Sequence, residues 1–528
     1  MSNHAYESAA ALRPSSNGPI PISTLCERFS LAPASAEDAA ALNDLSILGV
    51  SVDSADTAPG ELFVGLPGFT VHGARFAADA VASGAVAVLT DADGAQIVHQ
   101  AAPGTPVLVH SDPRAVVGPL SAEVYHHPAR GLVTTAVTGT NGKTTTAYFL
   151  DAILSAHVGG CMVAGTVELR VGERSVESPR TTVEAPVLQR MMALAVEDKV
   201  GAASLEASSH AIVLHRLDGI VVDVAGFTNL QRDHLDFHKT MEGYLEAKAQ
   251  LFTPEHARRG VVCVDDQWGA ALAAEAPIEI DRGRAYPGET PADWWVSDAA
   301  VSLTDSATIF TLHGPDGEKI EASCPLPGLV NVQNAALALV MAIRAGVPAA
   351  TAAAALAGAH NIPGRMQRIS QRDGRRGLCI VDFAHTPEAM ELALKAVRPI
   401  TPGRLIVVFG SDGDRDQGKR PMLGEVCARL ADVLVVTDEN PRSEDPQLIR
   451  NAILEGVRGV RPDLTDVEEI TTWRGDAVRR GVELCGPDDT VIVTGKGHEP
   501  FLEMAGEFIR YNDAPVMAEA VEEKWGRA

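Results

Sequence analysis

Short apolar runs alternate with polar or glycine-rich segments along much of this chain, a pattern that predicts parallel β-sheets. In the last third, four apolar runs are typical of buried strands: Leu378–Val381, Leu405–Phe409, Val433–Val436 and Thr490–Val493. Helical segments separate these runs, as in a doubly wound parallel sheet. Each run leads into a polar or glycine-rich segment. Because ligands bind at the carboxyl ends of strands in open α/β sheets, we expect these four segments to face one cleft.

The middle of the chain carries a glycine-rich loop between a predicted strand and a predicted helix. The apolar run Leu132 to Val137 leads into T-G-T-N-G-K-T-T-T over Thr138 to Thr146, and an apolar stretch with helical spacing follows. Such a loop presents backbone N–H groups and a helix dipole to a phosphate. Gly139 lies three residues before Gly142, whereas the general P-loop has five, and the alternative is a chance glycine turn. We predict ATP or GTP binding here.

The length of 528 residues exceeds what one hydrophobic core supports and predicts three domains. Residues 1–21 are polar and lack the apolar core of a signal peptide, so we predict a disordered leader. Residues 22–130 are predicted to form a small α/β domain, because short apolar strands such as Leu62 to Leu66 alternate with turns along it. Residues 131–362 contain the phosphate loop, and residues 363–528 contain the doubly wound sheet.

Composition narrows the class of partner. Lys and Arg total 44 against 69 Asp and Glu, a net charge of −25, which disfavours nucleic acids and anionic membranes as partners. The seven cysteines include no C-x-x-C pair, which disfavours structural zinc and a disulfide framework. The Ala-rich stretch Ala335 to Ala359 is interrupted by Arg344 and Pro348, so we predict no membrane-spanning segment. These totals favour a cytoplasmic enzyme.

Candidate metal ligands lie downstream of the loop. Glu206 ends the apolar run Ala202 to Leu205, and a carboxylate at a strand end opposite a phosphate loop suits Mg²⁺, with the Thr144 hydroxyl as a second ligand. An isolated strand-end acid is more often solvated, but this one is followed by two serines and a histidine. The run N-L-Q-R-D-H-L-D-F-H over Asn229 to His238 precedes a predicted helix with Lys248. It lacks the H-E-x-x-H spacing of a zinc site.

Together, the G-T-N-G-K-T loop and the N-L-x-x-D-H-L-D-x-H run resemble the Mur ligases of peptidoglycan synthesis and their folylpolyglutamate synthetase relatives. The resemblance extends to Asp53-Ser54 in the first block and, in the third, to D-F-A-H-T-P from Asp382 and G-K-G-H-E from Gly495. It is most specific for family members that add the third amino acid of the peptide. It implies three α/β domains: a UDP-sugar-binding N-terminal domain, a central mononucleotide-binding parallel-sheet domain, and a C-terminal Rossmann-like domain that binds ATP and the amino acid.

The resemblance implies an ADP-forming amide ligase that acts as a monomer. ATP would phosphorylate the D-glutamate γ-carboxylate of UDP-N-acetylmuramoyl-L-alanyl-D-glutamate. An amino group of meso-2,6-diaminopimelate would then attack the acyl phosphate, and phosphate would leave. Phosphoryl transfer is mostly positioning and charge neutralisation, so cations are expected around the transferring group.

The resemblance also implies a role for individual residues. The residues expected to bind ATP are Gly139, Thr140, Asn141, Gly142, Lys143, Thr144, Thr145, Asn334, Arg365, Asp382 and His385. Those expected to bind the UDP-sugar-dipeptide are Ser54, His72 and Gly73 at its uridine, and Thr181, Thr182, Ser208 and Arg216 at its muramoyl-dipeptide arm. Those expected to bind the diamino acid are Arg415, Glu439, Asn440, Pro441, Arg442, Gly495 and Glu499.

The catalytic set implied by the resemblance is Lys143, Glu206, His234 and Lys248. Lys143 would hold the β- and γ-phosphates. Thr144 and Glu206 would bind one Mg²⁺, and His234 and Lys248 a second. Because an ammonium repels Mg²⁺, Lys248 is expected to act only as a carbamate formed with CO₂, that is, as N6-carboxylysine.

Departures from the family pattern leave alternatives open. Glu439 stands where members that accept diaminopimelate have Asp, and a longer acid beside Arg442 would be able to pair with it. One alternative is a related ligase that adds lysine, another diamino acid, or glutamate to folate. A second is a non-catalytic ATP-binding partner subunit, which would be expected to lose Lys143, Glu206 or Lys248, and all three are present.

Overall fold

The computed structural model describes residues 9–301, 307–359 and 362–526. Residues 1–8 of the predicted leader, and the last two residues of the predicted third domain, lie outside these ranges. The chain divides into two compact units. The first comprises Met1–Trp295, Leu312–Ile320 and Gln333–Leu356; the second comprises Val296–Thr311, Glu321–Val332 and Ala357–Ala528.

The first unit begins with a five-stranded sheet of order β2-β7-β6-β5-β4, in which only the β2–β7 pair is antiparallel. The strands of this region are β1 Ile20–Pro21, β2 Ala32–Pro33, β3 Ser46–Ile47, β4 Gly49–Ser51, β5 Glu61–Val64, β6 Ala87–Thr90 and β7 Val107–Val109. Its helices are α1 Ile22–Phe29, α2 Ala36–Leu42, α3 Ala77–Ala82, α4 Ala92–Ala101 and α5 Pro113–Val124. Short 3₁₀ turns cover Ser54–Asp56 and Gly73–Phe76. Apolar side chains from both faces of this sheet form its core.

The same unit contains a second sheet, in the order β11-β10-β9-β12-β8-β13-β14-β15-β16, that is parallel from β9 to β16. The strands of the central region are β8 Val133–Thr138, β9 Cys161–Ala164, β10 Glu168–Val171, β11 Arg174–Glu177, β12 Ala202–Glu206, β13 Val222–Phe227, β14 Ala257–Cys263, β15 Glu279–Arg284, β16 Trp294–Val301, β17 Thr308–His313 and β18 Lys319–Cys324. The helices are α6 Lys143–Val158, α7 Ala185–Glu197, α8 Ser209–Val213, α9 Leu235–His238, α10 Met241–Ala249, α11 Gln267–Glu275, α12 Leu329–Arg344 and α13 Ala349–Ala357. Proline at 348 cannot continue a helix, which explains the break between the last two.

The second unit contains a six-stranded sheet of order β19-β20-β24-β21-β22-β23, parallel except for β19. The strands are β19 Gln367–Ser370, β20 Leu378–Val381, β21 Leu405–Phe409, β22 Val433–Val436, β23 Val467–Glu469, β24 Thr490–Val493, β25 Phe501–Met504 and β26 Glu507–Arg510. The helices are α14 Pro387–Val397, α15 Lys419–Leu430, α16 Pro446–Val460, α17 Arg474–Leu484 and α18 Asp513–Trp525. The α/β class and the doubly wound sheet predicted from the apolar runs are therefore confirmed.

The N-terminal segment differs from the predicted disordered leader over residues 9–21. Ala9–Ala11 form a 3₁₀ turn, and Leu12 is fully buried in the core of the central sheet. The side chain of Asn17 donates hydrogen bonds to the backbone oxygens of Leu48 and Val124. One apolar residue and a few polar contacts anchor a segment whose composition alone suggested disorder. Among the described helices, none combines the length and the apolar character needed to cross a membrane.

Candidate active site

The phosphate loop lies between β8 and α6, as predicted. Gly142 adopts φ 88°, a left-handed conformation that favours glycine, and α6 begins at the next residue. An added Cβ at Gly142 would lie 2.3 Å from Asn334 Oδ1, so the loop packs closely against α12. The Lys143 ammonium donates to the backbone oxygens of Gly139 at 3.0 Å and Thr140 at 2.9 Å. The lysine is thus folded over the loop that is expected to bind phosphate.

The loop is anchored to the segment that follows β13. Thr140 N donates to Asn229 O at 2.9 Å, and Asn141 N donates to the Asn229 side-chain oxygen at 3.1 Å. Thr228 Oγ1 donates to Asn141 O at 2.6 Å. The structure therefore brings the start of the Asn229 to His238 run against the phosphate loop.

The predicted first metal pair is assembled beside the loop. Thr144 Oγ1 lies 2.9 Å from Glu206 Oε2, and Glu206 is almost fully buried at the end of β12. The Glu206 carboxylate also accepts hydrogen bonds from Thr166 N at 2.8 Å and Thr166 Oγ1 at 3.0 Å. The Thr166 and Thr181 hydroxyls lie 3.2 Å apart. A chain of polar groups thus runs from the phosphate loop to the Thr181-Thr182 segment.

Residues predicted to hold the dipeptide arm lie together at the same place. Thr182 Oγ1 donates to Glu206 O at 2.7 Å and accepts from Ser208 N at 3.0 Å. The Arg216 guanidinium donates to Thr182 O at 3.1 Å, and its Nε lies 2.9 Å from the carboxylate of Glu184. All four predicted residues of this group therefore lie within one hydrogen-bonded cluster next to Glu206.

Lys248 is buried beneath the phosphate loop. Its side chain is 1% exposed, and Nζ donates to Gly139 O at 2.9 Å and lies 4.5 Å from the centre of the Tyr244 ring. Burial, and then the nearby Lys143 charge, hold the pKa of the Lys248 ammonium well below its ordinary value. The amine therefore favours its neutral form.

A cluster of aromatic rings surrounds the predicted second metal position. The ring centres of His210 and His234 are 4.9 Å apart, and His238 stacks on Tyr244 at 4.8 Å. Burial lowers the pKa of the His234 imidazole, so it favours the neutral form that can bind a metal ion. Within the described ranges, no three His, Cys, Asp or Glu side chains converge on one point as a metal site.

The predicted uridine residues lie in turns of the first sheet. Ser54 is half-buried in the 3₁₀ turn Ser54–Asp56. Both His72 ring nitrogens have partners within the domain, since Nδ1 accepts from Ala74 N at 3.1 Å and Nε2 lies 3.1 Å from Asp91. An added Cβ at Gly73 would lie 2.8 Å from Leu66 O, so the turn has room only for glycine. His72 and Gly73 therefore shape this turn, and uridine binding stays a prediction.

In the second unit, three predicted ATP residues cluster near the carboxyl end of β20: Asp382 and His385 follow this strand, and Arg365 precedes β19. The Arg365 guanidinium lies 4.2 Å from the centre of the Phe383 ring, and Asp382 accepts from Met366 N at 2.8 Å and Ala384 N at 2.9 Å. His385 Nδ1 lies 2.9 Å from Phe383 O. Burial raises the pKa of the Asp382 carboxyl and lowers the pKa of the His385 imidazole. Asn334 belongs to the first unit and lies beside Gly142.

The predicted diamino-acid residues lie beyond the carboxyl ends of β22 and β24, except Arg415, which follows β21. Lys496 is fully buried, and Nζ donates to Asn440 Oδ1 at 2.9 Å and Glu499 Oε2 at 3.1 Å, which joins the two loops. Gly495 has φ 107°, and an added Cβ would lie 2.7 Å from Glu439 Oε2. The Glu439 Oε2 atom is buried without a hydrogen-bond partner, as are the side-chain oxygens Ser411 Oγ and Asp412 Oδ1. The pocket is thus rich in acceptors.

The charged groups of this pocket differ in how they are paired. Burial, and then the neighbouring Asp412, raise the pKa of Glu439 to about 8. Arg442 has φ 53°, and its guanidinium lies 3.2 Å from Glu503 and 3.6 Å from Asp412. Arg442 therefore pairs with Glu503 and Asp412, and not with Glu439. Pro441 packs its backbone oxygen against Gly413, and Arg415 is exposed.

Family models match almost the whole of this arrangement. The Mur ligase middle domain matches residues 137–342, the Mur ligase glutamate ligase domain matches residues 364–497, and the Mur ligase family catalytic domain matches residues 46–125. The chain belongs to the Mur ligase family. A relative in Streptomyces avermitilis, named UDP-N-acetylmuramoyl-L-alanyl-D-glutamate--2,6-diaminopimelate ligase, is 43% identical over 483 residues, 92% of this Mur ligase and 94% of the relative.

A second relative, from Leifsonia xyli subsp. xyli, is named UDP-N-acetylmuramyl-tripeptide synthetase. It is 42% identical over 508 residues, 95% of this Mur ligase and 96% of the relative. A solved UDP-N-acetylmuramoyl-L-alanyl-D-glutamate--2,6-diaminopimelate ligase is 31% identical, with a TM-score of 0.63 over 90% of this chain and 95% of that one. The MurF ligase of Thermotoga maritima, solved in complex with ADP, shares the fold at 18% identity, with a TM-score of 0.60 over 90% of this chain and 97% of that one.

The sequence analysis did not predict several residues that organise the phosphate-loop region of the first unit or the diamino-acid pocket of the second. Thr166 was not predicted, although it donates twice to Glu206. Arg474 donates to Asp438 O at 2.9 Å and Thr494 O at 2.7 Å, and so holds the ends of β22 and β24. Arg474 and its partner Asp513 are both fully buried. Lys496 had a signal, because it lies in the G-K-G-H-E motif, but Arg474 had none.

Proposed function

We propose that this Mur ligase uses ATP to join meso-2,6-diaminopimelate to the D-glutamate γ-carboxylate of UDP-N-acetylmuramoyl-L-alanyl-D-glutamate. The names of the Streptomyces relative and of the 31% identical solved structure support this substrate pair. The Leifsonia relative is named only for a tripeptide product, so its name does not specify the amino acid. We propose further that Ser54, His72 and Gly73 bind the uridine end.

One observation carries the proposal. Thr144, Glu206, Thr166 and Thr181 form a continuous series of polar contacts of 2.8–3.2 Å between the phosphate loop and the predicted dipeptide-binding residues. A carboxylate held at Thr181 and Thr182 would therefore lie beside the γ-phosphate of ATP held at the loop. Phosphoryl transfer requires this placement of donor and acceptor.

The reaction follows from this placement. A γ-carboxylate oxygen of the D-glutamate attacks the γ-phosphorus, the bond to the β-phosphate oxygen breaks, and ADP leaves. The amino group of diaminopimelate then attacks the acyl carbon, the carbon–oxygen bond to phosphate breaks, and the nitrogen loses a proton to form the amide. Lys143 would release its contacts with Gly139 O and Thr140 O and neutralise charge on the transferring phosphoryl group.

The chain's side chains fit Mg²⁺ at the phosphate loop. The Thr144 hydroxyl and the Glu206 carboxylate present oxygen atoms 2.9 Å apart, which is the ligand chemistry that Mg²⁺ prefers. Bound there, Mg²⁺ would neutralise charge on the β- and γ-phosphates. A second Mg²⁺ would be bound by His234 and Lys248.

We propose that Lys248 is carbamylated. The side chain is almost fully buried, and this burial and the nearby Lys143 charge lower the pKa of Lys248 and favour the neutral amine that reacts with CO₂. A carbamate has two oxygen atoms and a negative charge, whereas the unmodified ammonium would repel a divalent cation. His234, whose imidazole also favours its neutral form, would complete this position.

The acceptor-rich pocket of the second unit would hold the incoming diamino acid. Glu439, Asp412 and Glu499 supply carboxyl oxygens for an ammonium group, and Arg442 supplies a guanidinium for the distal carboxylate. Because Arg442 already contacts Glu503 and Asp412, the substrate carboxylate would have to exchange for one of these partners.

An ADP-release assay with purified enzyme tests the function. We expect ADP release only when ATP, Mg²⁺, the UDP-dipeptide and meso-diaminopimelate are all present, and a product whose mass equals both substrates less one water. ADP release that requires folate and glutamate instead would contradict the proposal. Binding of ATP without ligase activity under any of these conditions would favour the non-catalytic alternative.

A further inference from the structure

A buried arginine outside the predicted site joins the first sheet region to the central sheet. Arg190 lies on α7 and is 1% exposed. Its Nη1 lies 2.9 Å from Asp56 Oδ2, and its Nη2 donates to Ala9 O at 2.8 Å. Burying an unpaired guanidinium lowers stability, whereas Arg190 is paired. We call its contacts with Asp56 and Ala9 O the Arg190 joint, because they connect α7 to the turn Ser54–Asp56.

The partner of Arg190 lies in the turn that carries Ser54. Asp56 ends the 3₁₀ turn Ser54–Asp56, and Asp53 closes this turn by accepting from Ala55 N at 3.0 Å and Thr57 Oγ1 at 2.9 Å. Arg13 donates to Asp56 O and pairs with Glu61. The turn is therefore rigid and is held by two guanidinium groups.

The segment predicted to bind the dipeptide arm lies just before the N-terminal end of α7. Thr182 is separated from the start of α7 only by Val183 and the N-cap residue Glu184, and Arg216 ties Thr182 O and Glu184 to the segment that follows α8. Arg190 is the sixth residue of α7, about 8 Å along the axis from its start at a rise of about 1.5 Å per residue. One rigid helix thus contacts the Ser54 turn and positions Thr182.

We infer that Arg190 is a positioning residue that fixes the spacing between the uridine-binding turn and the dipeptide-binding segment. The inference rests on the proposed function, in which one UDP-sugar-dipeptide molecule spans both. When two ends of one ligand bind together, the second end binds with an effective concentration that depends on the match in spacing. A misplacement of about 1 Å can cost about 10²-fold in activity.

The N-terminal segment completes this joint. Ala9 O accepts from Arg190, Leu12 is fully buried in the central core, and Arg13 contacts the Ser54 turn. Residues Ala9 to Arg13 therefore lie between the two parts of the site that Arg190 connects. These contacts hold residues 9–13 in place, which explains why part of the polar N-terminal segment belongs to the fold.

Steady-state kinetics of Arg190→Ala and Arg190→Lys test this role. Lysine keeps the charge, but one ammonium cannot reproduce the two-nitrogen fork that holds Asp56 and Ala9. We expect the KM for the UDP-dipeptide to rise about tenfold or more in Arg190→Ala and less in Arg190→Lys. The KM for ATP, and the inhibition constant of UDP alone, should change by less than about threefold, because UDP occupies only one end.

Matched variants separate positioning from folding. Arg258→Ala removes an exposed arginine that pairs with Asp223 at 2.8 Å, and it should leave every constant unchanged. Asp56→Asn weakens the joint from its partly exposed side and should reproduce the rise in the UDP-dipeptide KM if Arg190→Ala lowers the unfolding temperature.

Three results would overturn the inference. They are an unchanged UDP-dipeptide KM in Arg190→Ala and Asp56→Asn, an equal rise in the KM for ATP, or an equal rise in the UDP inhibition constant. Failure of the proposed function has a different signature. If UDP does not inhibit the wild-type enzyme, the uridine site itself is wrong, whatever the Arg190 variants do.

Discussion

The phosphate loop and the diamino-acid pocket are built in opposite ways. The loop is a contiguous segment that carries a lysine, with a second lysine buried beneath it. The pocket draws on loops after several strands and contains several acids. In addition to burial, the nearby Asp412 and Glu499 raise the pKa of Glu439, Glu499 pairs with Lys496, and Arg442 is shared between Asp412 and Glu503. The loop suits an anionic polyphosphate, and the pocket suits a ligand that carries ammonium groups.

The charge balance of each region depends on how many chain segments contribute side chains to it. In the loop, strand, glycine bend and helix fix the geometry locally. In the pocket, the side chains come from loops after β21, β22 and β24, so their surroundings depend on the pairing of these strands. Removing one group from the loop should therefore abolish activity, whereas removing one from the pocket should change the choice of substrate.

The largest effect is expected from Lys143→Ala. Loss of the ammonium that neutralises the transferring phosphoryl group should lower kcat by about 10³-fold or more, while UDP-dipeptide binding is retained. An ADP-release assay measures kcat, and isothermal titration calorimetry measures binding of the UDP-dipeptide. Lys395→Ala, which removes an exposed helix lysine paired with Glu391, is the matched control. Ligase activity near wild type in Lys143→Ala would refute the role of the loop.

Lys248→Ala tests the buried lysine beneath the loop. We expect a loss of about 10²-fold or more, with partial recovery in acetate or formate, because a small carboxylate can occupy the position of the carbamate. Activity is measured with and without each anion, and the unfolding temperature is measured to exclude a folding defect. Full activity of this variant without added anion would show that no carbamate is needed.

Arg442→Ala is expected to change selectivity more than turnover. Removing the guanidinium should lower kcat/KM for meso-diaminopimelate by about 10²-fold and leave that for L-lysine nearly unchanged, since lysine lacks the distal carboxylate. Arg479→Ala, which removes an exposed arginine paired with Glu519 and Glu523, should affect neither substrate. An equal loss for both amino acids would place Arg442 outside the specificity pocket.

The smallest effect is a pH dependence of stability from Glu439. Its pKa of about 8 in the folded protein lies above the ordinary value of 4.5, so the folded state holds the proton more tightly. Stability from this group is therefore present below pH 4.5 and is lost as the pH rises towards 8. Glu439→Gln stays neutral, so its unfolding temperature relative to wild type should rise by about 2 °C or more between pH 6 and pH 8. A difference that does not vary with pH would contradict the raised pKa.

Much of the fold could be predicted because its signals are local. The four strands predicted in the last third have the bounds observed for β20, β21, β22 and β24. The phosphate loop lies where the glycines and the strand–helix transition predicted it. The N-terminal segment could not be predicted, because a single buried residue, Leu12, and contacts with Asp56 and Arg190 determine its order.

The charge balance of the candidate site could not be predicted from the sequence. Arg474 and Asp513 are 39 residues apart and pair only because α17 and α18 pack together. Asp412 competes for Arg442 only after β21 and β22 have paired side by side. The roles of individual site residues, the domain bounds 22–130, 131–362 and 363–528, the monomeric state and the cytoplasmic location stay predictions.

The most direct test of the proposed function is the side-by-side kcat/KM of the wild-type enzyme for meso-diaminopimelate and L-lysine, at fixed ATP and UDP-dipeptide. Arg442 is partly buried between Asp412 and Glu503, and a substrate carboxylate that exchanges for one of these acids favours diaminopimelate over an analogue that lacks the carboxylate. We expect diaminopimelate to be preferred on the order of 10³-fold or more. Comparable values for the two amino acids would contradict the proposed substrate and would show that Glu439 and its neighbours have reassigned the pocket.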